Sequence, residues 1–185
     1  MKLLYNFIIF ISIFIYINIP AAHGSRITDS YDGNIFPIYA GNGSLVPPQS
    51  SLKESIKNKR VSILFFYLDD SADSKALAPV IAGIDLIWKN NIDIIPLTTD
   101  ELQNKDFTDP LEEGFYWNGF IPQTIILDEK GSVKFDKNGL IDLDEVNKVI
   151  SEIKGIKLDD TSFAVESFNE YNSQISKTPN TKSKN

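Results

Sequence analysis

The sequence of 185 residues contains no cysteine and a single histidine, His23. Without cysteine, the chain cannot form a disulfide framework, a thiolate nucleophile or a thiolate metal site. Histidine is the usual general base near neutral pH and the commonest metal ligand, and removal of residues 1–24 would leave the chain without one. These absences argue against a Ser–His–Asp hydrolase and against most kinds of zinc enzyme.

The sequence also lacks any cluster of basic residues. It has 18 Lys and Arg against 25 Asp and Glu, which gives a formal net charge of -7. Proteins that bind nucleic acid need grouped Lys and Arg to neutralise phosphates, so nucleic acid is not an expected partner. Hydrophobic residues make up 42% of the chain, which is enough for the core of one domain.

The N-terminus carries a long apolar run. After Lys2, residues 3–19 contain no charged side chain, and Ala22 and Gly24 are small residues at the positions preferred before a signal-peptidase cut at Ser25. Residues 1–24 therefore have the pattern of a secretory signal peptide. Because the run just reaches membrane-spanning length, a retained anchor that associates the protein with the membrane is the alternative. Either outcome places the rest of the chain on the exported side of a membrane.

Composition divides the remainder into three parts. Residues 25–49 are rich in Gly, Pro, Ser and Asn, and we interpret them as a linker with one short strand at residues 35–39. Residues 50–156 hold the regular apolar patterns of a folded domain. Residues 157–185 form a polar C-terminal tail that ends in low-complexity sequence and is predicted to be disordered.

The apolar patterns of residues 50–156 predict alternating strands and helices. The run at residues 61–68 is uninterrupted, which is typical of a strand buried on both faces of a sheet. Further strands are predicted at residues 92–97, 123–127 and 132–135. Helices are predicted at residues 51–57, from the residues after 69–73 to about residue 89, and at 142–154, with a short helix around 109–113 in a less regular stretch. A βαβ crossover followed by an antiparallel hairpin and a closing helix gives an α/β domain, with helices on both faces of a mixed sheet.

Residues 66–75 (Phe-Tyr-Leu-Asp-Asp-Ser-Ala-Asp-Ser-Lys) resemble the thioredoxin segment Phe-Trp-Ala-Glu-Trp-Cys-Gly-Pro-Cys-Lys, position for position without a gap. Pro79 stands where that family keeps its helix-kinking proline. Ile121–Pro122 looks like the family's cis-proline, with Gly119 just upstream. The resemblance covers about residues 50–154, and it implies a thioredoxin-like α/β fold.

The sequence departs from this family at the residues that thioredoxin chemistry requires. Ser71 and Ser74 occupy the two cysteine positions, and a hydroxyl does not exchange with disulfides because that reaction needs a thiolate. Asp70 replaces the tryptophan before the first cysteine. Phe65 stands where the family keeps a buried acid that moves protons. Ser71, Ala72, Asp73 and Ser74 are therefore a degenerate active site, and we expect no catalytic residue and no enzymatic activity.

The layout of leader, short domain and polar tail is similar to that of an exported group of thioredoxin-like proteins in cyanobacterial and plastid thylakoids. One subset of that group is linked to the accumulation of photosystem I. This second resemblance implies a location in the thylakoid membrane or lumen, with the periplasm as the alternative. It also implies a role in supporting photosystem I accumulation.

Asp69, Asp70 and Asp73 surround the degenerate site. Three carboxylates can bind a hard cation such as Ca²⁺. We favour helix capping instead, because Asp and Ser are preferred at helix starts and no complete calcium-loop pattern is present. Ser71 as a nucleophile would need a nearby base, and only carboxylates and lysines are available. We therefore expect neither a metal nor another cofactor.

The residues before Pro122 form the predicted partner-binding region. In the thioredoxin fold, partner segments pair with the backbone beside the cis-proline, and this strand addition needs no cysteine. Aromatic side chains are frequent binding hot spots and also ordinary core residues, and we expect at least two of the four nearby aromatics to belong to the core. These four are Phe115, Tyr116, Trp117 and Phe120. The candidate partner-binding residues are Asp70, Trp117, Phe120, Ile121 and Pro122.

A binding scaffold that keeps its peptide-facing loop but has lost its redox groups favours a non-enzymatic binding or assembly factor. Its expected partner is an exported protein or a subunit of a membrane complex. Two alternatives stay open. One is a thiol-disulfide oxidoreductase-like enzyme that works with a partner's thiols, and the other is a structural subunit of a membrane complex.

Overall fold

The computed structural model describes residues 25–156, apart from the side chain of Glu101. The predicted leader (residues 1–24) and tail (157–185) lie outside these residues. No helix between residues 25 and 156 combines the length and the apolar character that a membrane crossing requires.

The centre of the domain is a mixed sheet of four strands, which run in the spatial order β2-β1-β3-β4. The strands are β1 (Val61–Tyr67), β2 (Ile92–Thr98), β3 (Gln123–Leu127) and β4 (Val133–Asn138). Strand β2 pairs with β1 in parallel, whereas β3 is antiparallel to both β1 and β4. This confirms the predicted crossover followed by a hairpin. Every residue of β1 is buried, as its uninterrupted apolar run predicts.

Three α-helices cover the two faces of the sheet: α1 (Leu52–Lys57), α2 (Ala72–Trp88) and α3 (Leu143–Lys154). On one face, Ile81 of α2 and Ile150 of α3 lie in one buried cluster with Phe65 of β1. On the other face, Leu52 of α1 lies in a second cluster with Phe66. The alternation of side chains along β1 therefore divides the core between the two faces. The result is the α/β arrangement that the resemblance to thioredoxin implies.

The helix ends use the capping residues that the sequence offers. Ser51 begins α1 with a complete capping box, in which its hydroxyl accepts from the Glu54 N–H and its own N–H donates to the Glu54 carboxylate (3.0 Å). At the C-terminal end of α2, Trp88 is buried and its Nε1 donates to Oδ1 of Asn147 in α3 (2.9 Å). This bond connects the two helices and gives the indole N–H and the amide oxygen each a partner. A buried polar group without a partner would lower the stability of the fold.

The loop between β2 and β3 differs from the predicted helix at residues 109–113. Asp109 closes a turn there, because its carboxylate accepts from the Leu111 N–H and its carbonyl accepts from the Glu112 N–H. The chain then makes a short 3₁₀ helix at Glu113–Tyr116.

The strand predicted at residues 35–39 is wrong. Phe36–Ala40 form a single π-helical turn, which ends at Gly41 in the left-handed conformation (φ 63°). The cause is tertiary packing: the ring of Phe36 lies edge-on to those of Phe65 (6.0 Å between centroids) and Tyr67 (5.5 Å). Ile35 and Phe36 are fully buried, so this part of the predicted linker belongs to the core.

Truncating Phe36 tests whether this segment contributes to the stability of the domain. Phe36→Ala removes a fully buried ring, and we expect it to lower the free energy of unfolding by about 3–5 kcal/mol. Tyr31→Ala is the matched control, because Tyr31 is an aromatic side chain of the same segment that is 73% exposed. Urea unfolding measures both variants. Equal effects of the two substitutions would contradict the packing described here.

Candidate partner-binding site

The two serines at the cysteine positions hold the start of α2 in place. Ser71 is the N-cap residue, and its Oγ accepts a hydrogen bond from the N–H of Ser74 (3.2 Å). Ser74 is fully buried, and its Oγ accepts from the N–H of Leu68 just after β1 (3.3 Å). Both hydroxyls thus satisfy backbone donors. Ser71 has the capping role that the sequence favours, whereas Ser74 connects the first turn of α2 to the loop after β1.

The three aspartates of the degenerate site have different surroundings. Asp69 accepts a hydrogen bond from the Ile35 N–H (2.9 Å), and its pKa is raised mainly by burial and also by the carboxylates of Asp100 and Asp70. Asp70 and Asp73 are exposed. Within residues 25–156, no three acidic or histidine side chains are placed so that they could share a metal ion.

Lys75 is the residue of this region that sequence reasoning missed. Its side chain is fully buried. Its ammonium lies within hydrogen-bonding distance of the carbonyl oxygens of Ser25 (3.3 Å), Thr28 (3.0 Å) and Ser30, and of the Asp32 carboxylate (2.9 Å). An ammonium removed from water is very costly unless its donors are satisfied. Here one short segment, far from Lys75 in sequence, supplies the acceptors.

Asp32 completes this arrangement. The hydrogen bond from Lys75, together with a second from the Tyr39 hydroxyl (2.6 Å), lowers the pKa of Asp32 to about 2. Burial and the hydrogen bond to Asp32 raise the pKa of Tyr39 to about 12. The Asp32 carboxylate is therefore ionised, and the Tyr39 hydroxyl keeps its proton, over the whole physiological range.

We name residues 25–34 the N-terminal strap, because they lie across the start of α2. Asp29 Oδ1 accepts a hydrogen bond from the N–H of Ala72 (2.8 Å), which is a second cap on this helix beside Ser71. At the other end of the strap, Asn34 donates to the hydroxyl of Tyr67 (3.0 Å). The strap therefore contacts both α2 and β1.

Gln123, the first residue of β3, holds the loop that precedes it. Its side chain is fully buried. Its Nε2 donates to the carbonyl of Tyr116 (3.2 Å) and to Asp136 (2.8 Å), and its Oε1 accepts from the N–H of Asn118 (3.0 Å). One amide thus ties two points of the loop before β3, at Tyr116 and Asn118, to Asp136 of the neighbouring strand β4. A polar side chain inside an apolar strand sequence was the available signal for this role.

The four aromatic residues of this loop divide as expected between core and surface. Tyr116 and Trp117 pack against the buried cluster that contains Leu52. Phe115 is 44% exposed and Phe120 is 64% exposed. The Ile121–Pro122 peptide bond is cis, and Pro122 is buried.

A groove of about 420 Å³ lies between the start of α2 and the residue before Pro122. Leu68 and Ile121 contribute its apolar side chains, and Asp29, Asp70 and Asp73 line it with carboxylates. Of the five candidate partner-binding residues, Asp70 and Ile121 are brought together here. Trp117 and Phe120 lie in the neighbouring loop, and both Pro122 and Ser74 are buried. The groove can accept a side chain or an extended segment, and it offers no thiol and no imidazole.

The pH dependence of stability tests the lowered pKa of Asp32. Because the pKa of folded Asp32 (about 2) lies below its ordinary value of 3.8, the ionised carboxylate stabilises the fold above about pH 4, and this stabilisation is lost as the pH falls through 2. We therefore expect wild type to exceed Asp32→Asn in unfolding free energy above pH 4, with the difference shrinking toward pH 2.

Urea titrations at several pH values measure this difference, and Asp144→Asn is the control because Asp144 is an exposed carboxylate. A difference between wild type and Asp32→Asn that stays constant down to pH 2 would contradict the depressed pKa.

Comparison with known proteins places the chain in a family. No protein-family model matches it. Among solved structures, it is similar to a mutant thioredoxin from Halobacterium salinarum, with a TM-score of 0.43 and 18% identity, over 55% of this chain and 81% of that one. It is 36% identical to the Thylakoid membrane protein slr1796 of Synechocystis sp. over 159 aligned residues. This alignment covers 83% of the present chain and 79% of the relative. At this identity and coverage, the chain belongs to the family of that thylakoid membrane protein, and it is a member without cysteine.

Proposed function

We propose that this protein is a redox-inactive binding and assembly factor that acts on the exported side of a membrane. One observation carries the proposal. The hydroxyls of Ser71 and Ser74 are both used to hold the start of α2, while the groove beside them stays open. A site organised in this way can bind a partner but has no group that could exchange with a disulfide.

The proposed location is the thylakoid membrane or lumen. It is supported by the similarity to a thylakoid membrane protein of Synechocystis and by the predicted leader at residues 1–24, whose apolar run covers residues 3–19. The resemblance to the photosystem-I-linked group supports the further proposal that the protein promotes photosystem I accumulation. Its partner would then be an exported protein or a subunit of a membrane complex.

The groove favours a partner segment of particular chemistry. Asp29, Asp70 and Asp73 line it, and none of its lining residues is basic. Complementary charge selects partners and increases the rate of encounter, so a segment that carries Lys or Arg is the expected occupant. The exposed ring of Phe120 beside Ile121 offers an apolar contact to the same segment.

Photo-cross-linking in native membranes tests the proposed function. We replace Phe120 by a photoreactive phenylalanine analogue in the full-length protein, and then compare charge reversal at Asp70 with charge reversal at Asp144. Asp70→Lys removes a carboxylate from the groove and is expected to reduce the yield of the Phe120 adduct about tenfold, the effect of one interface hot spot. Asp144→Lys changes the net charge equally, at an exposed site on α3, and is expected to leave the yield unchanged.

A second arm replaces Pro122 by Ala, which alters the residue that follows Ile121 without changing charge. Loss of the Phe120 adduct in this variant as well would support the groove as the binding site. Adducts that form equally in Asp70→Lys, Pro122→Ala and wild type would overturn it. A stoichiometric adduct that co-purifies with one membrane complex would favour a structural subunit over a transient assembly factor.

The absence of redox activity is tested separately. The purified protein is expected to reduce insulin no faster than buffer with dithiothreitol alone, because the chain has no thiol. Ser71→Ala serves as the control, and it should behave as wild type does. A rate above background that Ser71→Ala abolishes would instead support the enzyme alternative.

A further inference from the structure

The proposed function makes no use of the most completely buried charge of the domain. The side chain of Lys75 has no exposure to solvent, yet it lies only one residue beyond the degenerate site. Its ammonium meets carbonyl oxygens of the N-terminal strap, the Asp32 carboxylate, and the face of the Tyr39 ring at 5.5 Å. A lysine that only covered apolar surface would keep its charge in water. This one instead directs its charge inward, toward the strap.

The strap, in turn, forms part of the groove. Asp29 is one of the lining residues, and it lies between Thr28 and Ser30, whose carbonyl oxygens both face Lys75. Asp29 also accepts from the Ala72 N–H at the start of α2 (2.8 Å). The position of this wall therefore depends on a contact made behind it by Lys75. Ile27, in the same strap, is 89% exposed and offers little packing that could replace that contact.

We propose that Lys75 is a positioning residue that holds the N-terminal strap closed and so assembles the partner-binding groove from two distant parts of the chain. The inference rests on the proposed function, since it assigns a condition for partner binding at the same site. Lys75 touches no partner itself. With its ammonium removed, the carbonyls of the strap lose their shared donor, and the wall that carries Asp29 separates from α2.

Limited proteolysis reports directly on strap closure. Trypsin cleaves after Arg26 only when the surrounding backbone is released, because proteases require an extended and accessible segment. In Lys75→Met, which keeps an unbranched stem but has no charge, we expect cleavage at Arg26 to accelerate about tenfold or more. Cleavage at Lys130, in the exposed turn between β3 and β4, is the internal reference and should not change.

The same variant is then measured for the Phe120 photo-adduct in native membranes. We expect its yield to fall about tenfold, as in Asp70→Lys. Ile150→Ala is the control for stability alone, because it truncates a fully buried core side chain of α3 without touching the strap. At a temperature where all variants are folded, Ile150→Ala should keep both the adduct and the protection of Arg26.

A second variant keeps the test decisive if Lys75→Met does not accumulate. Asp32→Asn removes one acceptor of the Lys75 ammonium and leaves its carbonyl partners in place. It should show the same two changes to a smaller extent, with faster cleavage at Arg26 and a lower adduct yield. The variant with the faster cleavage at Arg26 should also be the variant with the lower yield of the Phe120 adduct.

The outcomes separate this inference from the function on which it rests. In one outcome, the adduct yield falls in Asp70→Lys but stays unchanged in Lys75→Met, although cleavage at Arg26 shows that the strap is released. This outcome would overturn the role of the strap and leave the proposed function unchanged. A yield that rises in Lys75→Met would also overturn it, since the strap would then be a cover over the site. Adducts retained in both variants would overturn the inference and the proposed function together.

Discussion

The buried ammonium of Lys75 is the interaction on which the arrangement of the strap around the start of α2 depends. A charge enclosed by protein must find acceptors, and backbone carbonyls of the N-terminal strap supply them together with Asp32. Once the strap is held there, Asp29 reaches the first turn of α2, and the chain leads directly to Phe36, whose ring fills the core beside Tyr67. The strap, the groove wall and part of the core are thus linked through one side chain.

The two serines at the start of α2 have structural roles. A thiolate at the start of a helix is useful to an oxidoreductase because it is exposed and stabilised by the helix dipole. Here Ser74 is buried and Ser71 is engaged as the N-cap, so both side chains stabilise structure. Phe65 stacks on Tyr67 (5.5 Å between centroids) within the core. These side chains pack and form hydrogen bonds within the fold, and none of them is a thiol.

Much of the fold could be predicted because it follows from local patterns. The apolar run of β1 and the hairpin pattern before α3 each act over a few residues, and each is found in the structure. The segment at residues 35–39 could not be predicted in this way. Its conformation is decided by Phe36 packing against β1, and local propensity yields to tertiary packing when the buried surface is large.

The sequence by itself determined that no disulfide chemistry is possible, that the sheet is mixed, and that serines replace the two cysteines. Only the tertiary structure decided which aspartates line the groove and what Lys75 does. The reason is distance along the chain: Thr28 and Lys75 are 47 residues apart, and Asp29 meets Ala72 only because the fold brings them together. Composition and periodicity report on near neighbours, whereas a buried charge is defined by the remote groups that enclose it.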